Sequence, residues 1–207
     1  MEGPRPGGTA LLITVTSTPD RASVSLQEQG YATRGFNENR STGDVFLDIS
    51  KAFDKIWTVG LISKLITYNI PDALVNMLHS FLNDRLFRVK IDNHFSEWKN
   101  ISAGVPQGSL LGPVLFNLYI NDLPETTNTQ VAMYADDTAF LAQSWKPGLV
   151  TNRLQEALNR AESWFSTWRM EINASKCAAI LFTKRHKHKP VGTLQIYGQP
   201  IPWSNST

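Results

Sequence analysis

Two apolar runs in this chain end in acid. Val45-Phe46-Leu47 is followed by Asp48, and the run through Val131 and Met133 ends in Tyr134-Ala135-Asp136-Asp137. Short apolar runs bounded by polar residues read as strands. A carboxylate at the end of such a strand lies at a sheet edge, where it serves a core badly and a cation well. These acids are far apart in the chain, so only folding can unite them. A central strand beside a β-hairpin does so, and that requirement steers the chain towards a sheet with helices packed against it.

The rest of the pattern supplies those parts. Residues 1–30 are rich in Gly, Pro, Ser and Thr without sustained periodicity, and read as a disordered or poorly packed lead-in. Residues 31–207 read as one domain. The polar loop Asn39-Arg40-Ser41-Thr42-Gly43 enters a buried strand over Val45–Asp48. Leu61, Ile62, Leu65 and Ile66 form a helical stripe within residues 60–69. Pro71-Asp72 opens a second helix with Leu74, Val75, Leu78 and Leu82 on one face.

Between Arg85 and Ser102, Phe87, Val89 and Ile91 alternate with basic residues before an Asp92-Asn93 turn, which predicts a two-stranded excursion. The loop Ala103–Gly108 leads to an apolar helix with Leu111, Leu115 and Leu118 in register. Residues 130–142 read as a hairpin turning at Asp136-Asp137, and residues 149–168 as a long amphipathic helix. Ala178–Phe182 reads as the last core strand. The predicted fold class is α+β: an antiparallel sheet with helices packed on one face.

Hydrophobic residues make up 42% of the 207, enough to bury a core. A net charge of +2 leaves nucleic acid open as a partner without demanding it. The lone Cys177 excludes an intramolecular disulfide and fits a reducing, intracellular compartment. The apolar run Ala10–Val15 falls far short of the roughly 20 residues of a membrane span, so no membrane partner is expected.

Mg²⁺ is a hard ion, commonly held by one or two carboxylates plus substrate phosphates. Asp48 and Asp136 suit that role, and two ions roughly 3.5–4 Å apart would serve an in-line phosphoryl transfer. An Asp-Asp turn by itself is ordinary surface chemistry, since Asp tolerates turn conformations. Asp48 is harder to explain away, because it ends an apolar strand and is followed by Ile49, Ala52 and Phe53.

The wording around these acids resembles that of reverse transcriptases. Val45-Phe46-Leu47-Asp48-Ile49-Ser50-Lys51-Ala52-Phe53-Asp54-Lys55-Ile56-Trp57 is similar to their first catalytic motif. Gly104-Val105-Pro106-Gln107-Gly108-Ser109-Leu110-Leu111-Gly112-Pro113 looks like the second, and Tyr134-Ala135-Asp136-Asp137 like the third. The branch it resembles is that of the non-LTR retrotransposons, and within it the jockey-like elements. Four residues reading Tyr-Ala-Asp-Asp are only moderately specific; three motifs in this order and spacing are strongly so.

That resemblance implies the palm of an RNA-directed DNA polymerase. Asp48, Asp136 and Asp137 would be catalytic residues holding two Mg²⁺ ions, with Mn²⁺ as a substitute. Ile49 and Phe53 would lie at the incoming nucleotide, where the Phe53 ring leaves no room for a 2′-hydroxyl. Gln107 and Gly108 would approach the nucleotide and its template base. Lys176, in Asn173-Ala174-Ser175-Lys176-Cys177, matches a fourth motif whose lysine neutralises or protonates the departing pyrophosphate. RNA template, DNA primer and dNTP are the implied partners. The run Lys184-Arg185-His186-Lys187-His188-Lys189 could track a nucleic-acid backbone, although such runs are more often solvated loops.

The chain also departs from the family pattern. The stretch before residue 31 is unlike a fingers region, and residues 203–207 fall where a primer grip and thumb would begin. The expectation is a palm with a remnant of fingers and no thumb, weak or inactive in synthesis by itself. Two other readings stand beside it. One is a non-catalytic nucleic-acid-binding remnant of a mobile element, in which Arg85, Arg88 and Lys90 matter more than the aspartates. The other is an RNA-templated RNA polymerase, which Phe53 opposes.

Overall fold

A computed structural model describes residues 30–35, 37–134, 137–184 and 190–204. In chain order it contains β1 (Ser41–Asp48), α1 (Thr58–Thr67), α2 (Asp72–Leu82), β2 (Arg85–Phe87), β3 (Lys90–Ile91), β4 (His94–Phe95), β5 (Lys99–Ile101) and α3 (Leu111–Ile120). Then come β6 (Thr129–Tyr134), β7 (Asp137–Ser144), α4 (Pro147–Thr167), a 3₁₀ turn (Ala174–Lys176), β8 (Ala178–Phe182), β9 (Leu194–Ile196), β10 (Gln199–Ile201) and β11 (Trp203–Ser204).

The sheet runs β11-β8-β1-β7-β6, antiparallel throughout except for β11, which lies parallel to β8 at one edge. Central β1 pairs Val45 with Phe140 on one side and with Ala179 on the other. Alternation along the strand sends Val45 and Leu47 into the main core, beside Leu154, Leu158 and Phe165 of α4 and Leu115 and Phe116 of α3. The opposite face carries Phe46 against Ala132, Ala139 and Leu141, with Tyr31 packed over them. Asp48, two residues after Phe46, therefore leaves the sheet on the face away from α3 and α4.

Strand β1 starts four residues earlier than its apolar run suggested. Ser41 and Thr42 are buried strand residues rather than loop, and the Ser41 hydroxyl donates to Thr183. Gly43 explains the polar opening: a Cβ there would meet Val150 at 2.4 Å, so only glycine lets α4 lie this close to the sheet. Residues 194–201 supply a second correction. Ala178–Phe182 is not the last strand, because β9 and β10 form a hairpin that buries Leu194, Ile196 and Ile201 completely or nearly so. Gln155 of α4 ties that hairpin down by exchanging hydrogen bonds with the Gln195 main chain.

The excursion over Arg85–Ile101 is two-stranded as expected, but it splits into two short ladders, β2 with β5 and β3 with β4. No helix among the described residues is long and apolar enough to cross a membrane.

Candidate active site

Asp48 and Asp137 are direct partners in the last rung of the β1–β7 ladder. Directly opposed residues of an antiparallel pair project to the same face, with Cα atoms roughly 4.5–5.5 Å apart. The sheet thus presents two carboxylates side by side. Asp137 is not a turn residue, contrary to expectation. It opens β7, paired with Tyr134 on one side and Asp48 on the other, and a strand position between two ladders fixes its backbone. Asp136, with Ala135, lies outside the described residues, as do Arg185–Lys189 of the basic run.

Lys176 joins this pair from a separate segment. Its Nζ lies 3.8 Å from Asp48 Oδ2, with the two side chains 66% and 41% exposed. The main chain sets that approach. Asn173 N–H donates to the Asp48 carbonyl at 2.8 Å, Ser50 N–H donates to the Glu171 carbonyl at 2.8 Å, and the 3₁₀ turn then carries Lys176 back over β1. Behind it, Cys177 is buried. Desolvation pushes its thiol pKa up and the Asp48 charge adds to the rise, while a main-chain hydrogen bond to Asp48 pulls the other way.

Ile49 does not face the site with its side chain. It is 5% exposed, belongs to the main core, and forms a bridge with Ile172. A strand that puts Asp48 on the open face must turn its neighbour inward.

After β1 the chain turns sharply at Lys51, which holds a left-handed φ of 50° and accepts hydrogen bonds from Asp54 and Lys55. This turn lays Phe53 on Phe116 of α3, ring centroids 4.7 Å apart. The loop before α3 docks on the same turn. Gly104 N–H donates to the Ile56 carbonyl at 2.8 Å and Val105 N–H to the Phe53 carbonyl at 2.9 Å. Gln107 Nε2 donates to Asp54 Oδ1 at 2.7 Å. Gly108 has φ +79° with open space where a Cβ would stand. Phe53, Gln107 and Gly108 are therefore brought together around one turn, as Asp48, Asp137 and Lys176 are around one rung.

Two residues escaped the sequence reading. Asp54 is the anchor of Gln107, and nothing in a one-dimensional pattern links positions 54 and 107. Arg85, read as a nucleic-acid contact, is a structural clamp instead. Its Nε donates to the Leu82 carbonyl at 2.8 Å, and its Nη2 donates to the carbonyls of Ala103 at 3.0 Å and Gly104 at 2.6 Å. Its fork is spent on the loop it holds.

Carboxylate oxygens at partly exposed positions fit a hard divalent cation. Among the described residues no group of three or more such ligands converges; Asp136 is outside that set.

A β1–β7–β6 sheet carrying paired aspartates on its open face, backed by α3 and α4, is the palm of a polymerase. Its fold matches solved telomerases: that of Candida tropicalis, truncated from its C-terminal domain, superposes with a TM-score of 0.61 at 13% identity, over 86% of this chain and 38% of that one. The Candida albicans enzyme, solved in complex with a fragment of telomeric RNA, gives 0.61 at 12%, over 89% and 33%. Identity this low speaks for fold alone.

Sequence relatives are more specific. The RNA-directed DNA polymerase from mobile element jockey of Drosophila melanogaster is 41% identical over 148 residues, 68% of this chain and 16% of the relative. The probable RNA-directed DNA polymerase from transposon X-element of the same fly is 32% identical over 176 residues, 83% and 19%. Residues 13–198 match the reverse transcriptase (RNA-dependent DNA polymerase) family, and the chain belongs to it. It spans less than a fifth of the length of these curated relatives.

Proposed function

We propose that this chain forms the catalytic palm of an RNA-directed DNA polymerase that adds dNTPs to a primer 3′ end on an RNA template. The observation that carries this reading is the Asp48–Asp137 rung with Lys176 beside it, in a chain of this family. Asp48 and Asp137, with Asp136, would hold two Mg²⁺ ions, which Mn²⁺ can replace. When bound, such ions lower the barrier to in-line displacement at a phosphate by stabilising the entering and leaving oxygens.

The chain's own residues supply positioning. Phe53, held by Phe116, presents a ring wall to the sugar of the incoming nucleotide and excludes a 2′-hydroxyl. Gly108 offers main chain without a side chain beside the Gln107 amide. Lys176, 3.8 Å from Asp48, would supply the ammonium that balances charge on a departing pyrophosphate. Ile49 contributes through its main chain only. An intracellular setting accords with the buried free thiol of Cys177.

Primer extension on poly(rA)/oligo(dT) with Mg²⁺ or Mn²⁺ tests the reading. Expected is weak, metal-dependent dTTP incorporation that disappears in Asp48→Asn and in Asp136→Asn. Incorporation that survives Asp48→Asn overturns it.

A second reading, nucleic-acid binding without synthesis, is favoured by the ribbon β2–β5. Arg88 lies 4.0 Å from the Phe95 ring and 4.6 Å from the Trp98 ring, and Phe87, Phe95 and Trp98 are exposed. Cations interleaved with exposed aromatics suit single-stranded nucleic acid. Salt-sensitive RNA binding without incorporation would select this reading.

A further inference from the structure

We infer that Asp54 is a positioning residue that sets the orientation of the Gln107 amide in the nucleotide pocket. The inference rests on the polymerase reading above.

The hydrogen bond from Gln107 Nε2 to Asp54 Oδ1 joins two segments that are already fastened at the main chain. Gly104 and Val105 donate to the Ile56 and Phe53 carbonyls, and Arg85 grips the carbonyls of Ala103 and Gly104. The two backbones lie so close that a Cβ on Gly104 would stand 2.8 Å from the Asp54 Cα. An exposed side-chain bond adds little to a junction held that firmly. What it does fix is the Gln107 side chain, which would otherwise explore many rotamers in solvent.

The geometry of that fixation is directional. A carboxylate oxygen accepts, so Asp54 engages the amide nitrogen and leaves the Gln107 carbonyl oxygen and second N–H for a ligand. The neighbouring Gly108 leaves open space where a Cβ would stand, and the residue before Asp54 is Phe53, stacked on Phe116. One turn therefore carries both the ring wall and the group that aims the amide beside it. Pre-ordering a contact group in this way lowers the cost of binding without touching the reacting atoms.

The test compares Asp54→Ala, Asp54→Asn, Gln107→Ala and the double variant Asp54→Ala/Gln107→Ala, by primer extension and by dTTP binding read from fluorescence quenching on template–primer. Asp54→Ala is expected to raise the KM and Kd for dTTP about tenfold, a rise exceeding any fall in kcat. Asp54→Asn keeps an oxygen acceptor and should recover most of the loss. The double variant should be no worse than Gln107→Ala, as for residues acting in series. Additive losses, or an Asp54→Ala variant with unchanged dTTP affinity in an active wild-type background, overturn the inference alone. A wild-type chain that neither binds nor incorporates dTTP removes the polymerase reading and this inference with it.

Discussion

Asp48 and Asp137 face each other across the final rung of β1 and β7, two like charges at a direct cross-strand pair. Like charges opposed in this way destabilise a sheet. If the pair holds a divalent cation, as proposed, that cation's charge would offset the repulsion. Asp137→Asn should therefore raise metal-free stability by a few tenths to about 1 kcal/mol, read as a higher Tm in EDTA. The same variant should lose most of the Tm gain that Mn²⁺ gives the wild type. Asp137→Asn that leaves the Mn²⁺ shift intact would overturn Asp137 as a proposed metal ligand, and one that destabilises in EDTA would show that the cross-strand repulsion carries no net cost.

The loop before α3 invites a paired substitution. Gly104 has φ +80°, and a Cβ there would lie 2.7–2.8 Å from main-chain atoms of Phe53 and Asp54. Backbone cannot step aside as a side chain can, so Gly104→Ala should cost about 2–4 kcal/mol. Gly108 shares the φ but meets nothing within 4 Å, so Gly108→Ala should cost only the left-handed backbone term, about 1–2 kcal/mol. Urea titration of both variants separates the cases; equal costs would mean that the Gly104 contact carries no energy.

The sequence made the sheet legible wherever apolar spacing was regular. β1, β7, β8, α1, α2 and α4 stand close to where periodicity placed them, because each buries one face in the same core. It failed where tertiary contact overrules local chemistry. Ser41 and Thr42 look like loop residues, yet both are buried in β1, where Gly43 lets α4 come close on one face and Gly35 lies against the Thr42 hydroxyl on the other. Asp137 looks like a turn residue, yet two neighbouring strands claim it. The hairpin β9–β10 has only three-residue strands, and its burial comes from α4 rather than from its own pattern. In the site, motif order singled out Asp48 and Lys176, which the fold brings within 3.8 Å of each other. It did not single out Asp54, because its partner lies on another segment.

Arg85 and Arg88 separate stability from surface chemistry within one ribbon. Arg85→Ala would leave three carbonyl acceptors short of a donor and should cost about 1–3 kcal/mol. Arg88 touches only exposed rings, so Arg88→Ala should cost less than about 1 kcal/mol. If the ribbon contacts RNA, Arg88→Ala should also lower the salt slope of RNA binding by about 1. Thermal melts together with binding at several salt concentrations check both. An Arg85→Ala variant as stable as wild type would show that the loop needs no clamp.

Lys64 supplies a separate pH dependence. Its side chain is 3% exposed, and Nζ lies 3.7 Å from the Trp168 ring and 4.5 Å from the Trp164 ring. It donates to the Tyr119 carbonyl at 2.6 Å and pairs with Asp122. Burial lowers its pKa to about 8, with the Asp122 hydrogen bond and charge opposing the drop. The unfolded chain holds this proton up to the ordinary lysine value of about 10.4, so between those values it binds more protons than the folded chain. Stability from this group is then fully present above the unfolded value and is lost as pH falls through about 8. Tyr119, pushed by burial to about 12, works in the opposite sense: its contribution is whole below the ordinary tyrosine value and fades as pH rises towards 12. The buried Cys177 thiol, raised likewise, also opposes Lys64. Comparison with Lys64→Met isolates the lysine. The stability of wild type relative to that variant should rise by about 1–3 kcal/mol between pH 7.5 and 10 in urea titrations. A difference that stays flat or falls over that range would show that Lys64 keeps its proton inside the aromatic cluster.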